Sequence, residues 1–183
     1  MHAGSIAYRH GVEVLVDAAK LLAHEPEILF FVVGGGSKRH VVEARAKEAN
    51  LQNFQMMGYV DWKELRWLRA SADVQMIVLR RGMTSHSVPC KVYEIMASGR
   101  PFVSAVDEGS TIWEIVKQSE CGIAVTPESA KEIADAILRL YHHRERGQGM
   151  AKNGRREAVS RYSASAVAKQ YDELFRQLVK GGS

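Results

Sequence analysis

A chain of 183 residues, 46% hydrophobic with a formal net charge of +4, is long enough to bury one substantial core, and its apolar runs are spread from end to end. No apolar run approaches the roughly 20 residues that cross a bilayer, the first ten residues lack the charged-then-apolar build of a signal peptide, and Cys90 and Cys121 stand far apart without metal-type spacing. These features argue against a membrane span, a disulfide framework and a zinc site, and they leave one soluble, cytosolic domain as the expectation.

Short apolar strands alternate with amphipathic helices along the chain, the signature of βα units on a parallel sheet. Residues 2 to 6 read as the stub of a first strand. Val12, Leu15, Ala18, Ala19 and Leu22 then recur at helical spacing, and Pro26 closes that segment. The run Ile28 to Val33 is apolar throughout, as expected of a strand buried on both faces. Gly34, Gly35 and Gly36 mark a tight strand-to-helix turn, with a helix resuming over Ser37 to Ala49. Phe54 to Met57 is a third strand, Asp61-Trp-Lys-Glu64 reads as a capping box opening a helix through Ala70, and Val74 to Leu79 is a fourth strand.

After the loop Gly82 to Ser87, the segment 87 to 105 carries the most information. Pro89 suits a first helical position, where its missing N–H is no loss, Gly99 suits the left-handed position after the helix, and Pro101 prevents resumption. The helix thus has an open amino end, whose free amides and positive dipole suit an anion such as a diphosphate. Lys91 and Glu94 fall three apart near that end, where they are able to share one edge; the plain alternative is a surface ion pair contributing about 0.2–0.5 kcal/mol. Phe102 to Ala105 is a fifth strand, Thr111-Ile-Trp-Glu114 caps the next helix, Gly122 to Val125 is a sixth strand, and Ser129-Ala-Lys-Glu132 caps another helix. Two helical segments, 148 to 161 and 164 to 180, end the chain as a helical tail. Val167, Tyr171, Leu174, Phe175 and Leu178 make an apolar stripe on the last, to pack on its own domain or on a partner domain.

Other chemistries are disfavoured by spacing. The glycine run lacks G-x-G-x-x-G and no Gly-Lys-Ser/Thr follows, so neither a dinucleotide fold nor a P-loop is indicated; it serves either close backbone approach by a ligand or a simple turn. The seven histidines show no ligand spacing and are expected to be mostly exposed. No Asp-x-Asp occurs, which argues against a sugar transferase that holds its nucleotide through a divalent metal, and there is no Gly-x-Ser-x-Gly nucleophile elbow. The densest basic stretch, Arg139 to Arg161, carries Arg144, Arg146, Lys152, Arg155, Arg156 and Arg161 with no aromatic residue among those six. It reads as a solvated helix face rather than a nucleic-acid surface.

Taken in order, Val12-Glu-Val-Leu-Val-Asp-Ala-Ala-Lys-Leu-Leu22, Phe31-Val-Val-Gly-Gly-Gly36, Met57-Gly-Tyr-Val60, Pro89-Cys-Lys-Val-Tyr-Glu-Ile-Met-Ala-Ser-Gly-Arg-Pro101, Asp107-Glu-Gly-Ser110 and Cys121-Gly-Ile-Ala-Val-Thr-Pro127 resemble the nucleotide-sugar-binding domain of family 4 retaining glycosyltransferases of the GT-B fold. The block 88 to 105 is particularly similar to the branch that builds bacterial surface polysaccharides. The resemblance implies an α/β, doubly wound, Rossmann-like parallel sheet of about six strands with helices on both faces and a helical carboxy-terminal extension. Residues 1–183 would form a single donor-binding domain, with 148–180 as its helical tail and the acceptor-binding amino-terminal domain absent from the chain. Carried over with it, Glu94 holds the ribose hydroxyls, backbone near Gly58, Tyr59 and Val60 meets the base, Gly34 and Gly35 line the nucleotide sugar, and His86, Ser87, Val88, Pro89 and Cys90 lie by the diphosphate and donor. His86 stands where the family often has a second glutamate. Arg9 and His10 stand where it often has Arg and Lys, so Arg9 or Lys91 is the cation expected to meet the departing diphosphate. No metal or cofactor is implied. The donor would be a UDP-sugar and the acceptor a polysaccharide or lipid-linked saccharide, in the cytoplasm or at the inner face of the membrane. A GT-B nucleotide-sugar 2-epimerase and a non-catalytic nucleotide-binding or regulatory domain are the alternatives; nucleic acid is not an expected partner.

Overall fold

The computed structural model describes residues 1–84 and 88–181. Six parallel strands form its centre: β1 (His2–Ala3), β2 (Phe30–Val33), β3 (Phe54–Met57), β4 (Gln75–Val78), β5 (Phe102–Ala105) and β6 (Gly122–Val125). They pair as two three-stranded sheets, β1-β2-β3 and β4-β5-β6. The Met76 amide donates to the Met1 carbonyl at 2.8 Å, which sets β4 beside β1 and gives the spatial order 3-2-1-4-5-6. The chain therefore reverses its winding between β1 and β4, and the carboxyl ends of those strands open a crevice of the kind in which doubly wound sheets bind ligands.

The helices are α1 (Val14–Leu21), α2 (Arg39–Glu48), α3 (Trp62–Ser71), α4 (Lys91–Ser98), α5 (Thr111–Ser119), α6 (Ala130–His142), α7 (Arg144–Arg161) and α8 (Ala164–Gly181). Alternation along the strands divides the core in two. Met76, Val78, Val103 and Ala105 face Leu15, Ala19, Ile133 and Leu140 of α1 and α6. Ile77, Leu79 and Phe102 face Val92, Ile95, Met96, Ile112 and Val116 of α4 and α5, with Ala158 of α7 in the same cluster. The central strands are covered on both sides, in keeping with runs that are apolar apart from Gln75 and Ser104, both buried.

Several local expectations shift. Ser110, not Thr111, caps α5, its Oγ accepting from the Trp113 amide, and Asp61 caps α3 by accepting from Lys63. Ser129 caps α6 as read, accepting from the Glu132 amide. The helix expected from 148 begins at Arg144 and packs on α4, where the Arg155 guanidinium donates to the Ala97 carbonyl at the end of α4. The arginines of this stretch otherwise lie at the surface. In α8, Tyr171, Leu174, Phe175 and Leu178 are all exposed. Among the described residues no helix is long and apolar enough to cross a membrane.

Candidate functional site

Backbone assembles the floor of the crevice. Beyond β1 the chain turns across the glycine run: the Gly4 amide donates to Val33, the Ile6 amide to Gly35, and the Lys38 amide back to the Ile6 carbonyl, at 2.8–2.9 Å. Gly34 has φ +130° and Gly36 φ +144°, and a Cβ on either would stand 2.0 Å from the Gly4 carbonyl oxygen or 2.6 Å from that of Ile6. Close approach of the first loop thus accounts for both residues. A Cβ on Gly35 would strike the Tyr59 ring at 2.7 Å. Gly34 and Gly35 are buried under these neighbours, Gly58 and Tyr59 are exposed, and Val60 is half-buried. Arg39 ties the two strand exits together, its Nη1 donating to the carbonyls of Gly34 at 2.5 Å and Met57 at 2.8 Å.

Arg80, just past β4, fastens the loop that carries Arg9. It donates to the Tyr8 carbonyl at 2.7 Å, pairs with Glu13 at 2.9 Å and Glu128 at 3.1 Å, and lies over the Tyr8 ring. Its own amide donates to the Arg9 carbonyl at 3.0 Å. Asp107, after β5, accepts from the Gly82 amide and the Thr84 hydroxyl. Burial pushes its carboxyl up, but these hydrogen bonds outweigh it and hold the group below the ordinary carboxylate range. Asp107 thereby anchors the near end of the loop that leads to α4. His86 and Ser87 lie outside the described residues.

The helix opens close to where its proline sits. The Pro89 carbonyl accepts from the Val92 amide, Cys90 is the capping residue, and Gly99 ends the helix at φ +66°. Val88 and Cys90 are exposed and Pro89 half-buried. Lys91, in the first turn, turns inward, and a Cβ on Gly4 would lie 2.7 Å from its Nζ. Burial lowers the Lys91 ammonium to about 8, with Arg69 lowering it further and Glu94 raising it. His10 stands by Lys91 and Arg9; burial first, then these two cations, lowers it to about 4, so the ring is neutral at pH 7. His2, expected to be exposed, is fully buried because β1 is central in the sheet, and burial holds it well below the usual imidazole range.

Glu94 does not pair with Lys91. Its Oε2 meets Nη1 of Arg69, on α3, at 2.6 Å, with the Glu94 side chain 51% exposed and that of Arg69 13%. The structure thus gathers Arg9, His10, Lys91 and Glu94 at the β1–β4 crevice, with Gly34, Gly35 and Tyr59 at the adjoining β2 and β3 exits. Arg69, Arg80 and Arg39 did not stand out in the sequence. A signal exists for the first: Leu65, Leu68, Arg69 and Ala72 form an i, i+3, i+4, i+7 stripe, so Arg69 is a charge on an inward face. No group of three His, Cys, Asp or Glu among the described residues is placed to hold a metal ion. A cavity of about 600 Å³ lies at the opposite edge of the sheet, lined by Met1, Phe31, Asp73, Arg100 and Arg144 among others, and includes none of Arg9, His10, Gly34, Gly35, Tyr59, Lys91 and Glu94.

A crevice with cations and the exposed Glu94 carboxylate at the switch point of a doubly wound sheet lies where α/β domains of this kind bind ligands. The family model of the glycosyl transferases group 1 matches residues 1–157, and the chain belongs to that family. The 2-deoxystreptamine N-acetyl-D-glucosaminyltransferase of Niallia circulans is 26% identical over 174 residues, 94% of this chain and 43% of the relative. The crystal structure of Anabaena HepE in complex with UDP superposes with TM-score 0.82 at 19% identity, covering 96% of this chain and 48% of HepE. The carboxy-terminal domain of the Francisella tularensis group 1 glycosyl transferase LpcC superposes with TM-score 0.72 at 20% identity, covering 89% and 86%. The chain spans less than half the length of the curated relatives it matches.

Proposed function

We propose that this chain is the donor-binding half of a retaining, metal-independent glycosyltransferase of family 4 that takes a UDP-sugar. The observation that carries the reading is the pairing of opposite chemistries at one crevice: the Glu94 carboxylate, exposed on the first turn of α4, and the Lys91 ammonium, turned toward the Gly4 loop. A carboxylate accepts two neighbouring hydroxyls well, as a ribose presents them, and an ammonium at a helix amino end suits a diphosphate. The crystallised UDP complex of HepE, a protein of the same fold, supports the choice of nucleotide.

In this reading Glu94 holds the ribose, the backbone of Gly58, Tyr59 and Val60 meets the base, and Val88, Pro89 and Cys90 border the diphosphate, a role that the family resemblance also gives to His86 and Ser87. Gly34 and Gly35 shape the floor beneath. As the glycosidic bond to the donor breaks, negative charge grows on the leaving diphosphate. Lys91, Arg9 and the first amides of α4 stabilise it. His10, neutral at pH 7, adds no charge, so Lys91 supplies the second cation of the first loop's neighbourhood. The acceptor, a polysaccharide or lipid-linked saccharide, would be held by a second, amino-terminal domain, and the reaction would run in the cytoplasm or at the inner membrane face. The chain alone then binds donor and turns over poorly.

Isothermal titration with UDP and GDP tests the reading. UDP is expected to bind, and Glu94→Gln to weaken it by about tenfold or more, the worth of hydrogen bonds to a charged group. No heat with either nucleotide would reject the assignment. With the acceptor domain supplied, NMR of the product is expected to show the donor's anomeric configuration; inversion would refute the retaining class.

A further inference from the structure

Glu94 stands between two cations. Lys91 lies one turn before it on the same helix edge and feels its charge, while Arg69 reaches it from α3 and takes Oε2 at 2.6 Å. On α4 alone the i,i+3 spacing would let Lys91 and Glu94 form only a weak pair. In the structure Glu94 instead meets the guanidinium, and Lys91 turns toward Gly4. Arg69 is well placed to hold the carboxylate: its side chain is nearly buried, its carbonyl accepts from the Gln75 side chain at 2.6 Å, and its Nε is buried without a hydrogen-bond partner. It is a rigid, desolvated fork with Glu94 as its carboxylate.

We propose that Arg69 is a positioning residue that holds the Glu94 carboxylate away from Lys91 and presents it to the ribose, so that it sets the preference for ribonucleotide over 2′-deoxyribonucleotide. The inference rests on the reading of Glu94 as the ribose-binding group. With Oε2 anchored, Oε1 and the exposed face of the carboxylate are left for the hydroxyls, and Lys91 keeps its ammonium free for phosphate. The carboxylate is ordered before the ligand arrives, so less side-chain freedom is lost on binding. The preference then depends on a residue that touches no part of the nucleotide.

The test compares UDP with 2′-deoxy-UDP by titration calorimetry on the wild-type chain, Arg69→Met and Arg69→Lys, with far-UV circular dichroism confirming the fold of each. The wild type is expected to favour UDP by about tenfold or more. Arg69→Met is expected to reduce that ratio to under about threefold, with Arg69→Lys, which keeps the charge and loses the planar fork, lying between. An Arg69→Met protein that keeps the wild-type ratio, or that weakens both ligands by one common factor, overturns the proposal; if Arg69→Met does not fold, the ratio in Arg69→Lys decides. A wild type that binds both ligands equally refutes Glu94 as the ribose group, and one that binds neither refutes the nucleotide reading itself, and each takes the Arg69 proposal with it.

Discussion

Replacing Lys91 by methionine separates what the fold wants from what the site needs. Burial lowers the Lys91 ammonium from 10.5 to about 8, and each unit corresponds to about 1.4 kcal/mol, so keeping this group charged in the fold costs roughly 3 kcal/mol at neutral pH. The unfolded chain binds the extra proton between about 8 and 10.5, so the stability of the wild type rises as pH rises through that window. Methionine matches the stem and removes the charge. The attraction to Glu94 is already contained in that lowering, and Lys91→Met is expected to gain about 1–3 kcal/mol at pH 7, a gap that narrows as pH approaches 10. The same variant is expected to lose UDP affinity by about tenfold or more at pH 7. Urea unfolding at pH 7 and pH 10, with calorimetric titration at pH 7, measures both. A variant less stable than wild type at pH 7, or one that binds UDP unchanged, would refute the reasoning.

Three further outcomes follow from the same geometry. The UDP affinity of the wild type should decline as pH rises above about 8, where Lys91 gives up its proton, and a flat profile from pH 7 to 9.5 would show that its charge is not used. Arg80→Met leaves Glu13, whose side chain is 10% exposed, without its counter-ion; a loss of about 2–3 kcal/mol is expected in denaturant unfolding, together with weaker UDP binding because the Arg9 loop loses its clamp. Gly34→Ala forces a Cβ to 2.0 Å from the Gly4 carbonyl at a left-handed φ. It should destabilise by more than about 2 kcal/mol, seen as a lowered melting temperature, whereas Gly58→Ala, which meets open space, should leave it nearly unchanged.

The sheet is legible because its strands are buried on both faces: Phe30 to Val33, Gln75 to Val78 and Phe102 to Ala105 are apolar but for Gln75 and Ser104, so no solvent face disguises them. Helix starts are less so. Ser110 and Thr111 are equally good caps, and only the direction of the entering chain decides between them. The glycine run leaves ligand approach and a simple turn equally open in the sequence, and the close approach of the first loop to Gly34 and Gly36, made across the sheet between β1 and β2, is not visible there. The burial of His2 is hidden for a related reason, since two residues of strand give no periodicity from which to read it. The Lys91–Glu94 spacing was visible, but which cation Glu94 takes is a tertiary matter. It turns on Arg69 arriving from a different helix, and local spacing on α4 carries no trace of that.

Amide chemical shifts of the isotope-labelled chain during titration with UDP test the central claim most directly. The account predicts perturbations confined to the carboxyl edge of the sheet, at residues 4–11, 58–60 and 88–94. Shifts clustered instead around the cavity at the opposite edge, near Phe31, Asp73, Arg100 and Arg144, or no shifts at all, would contradict it.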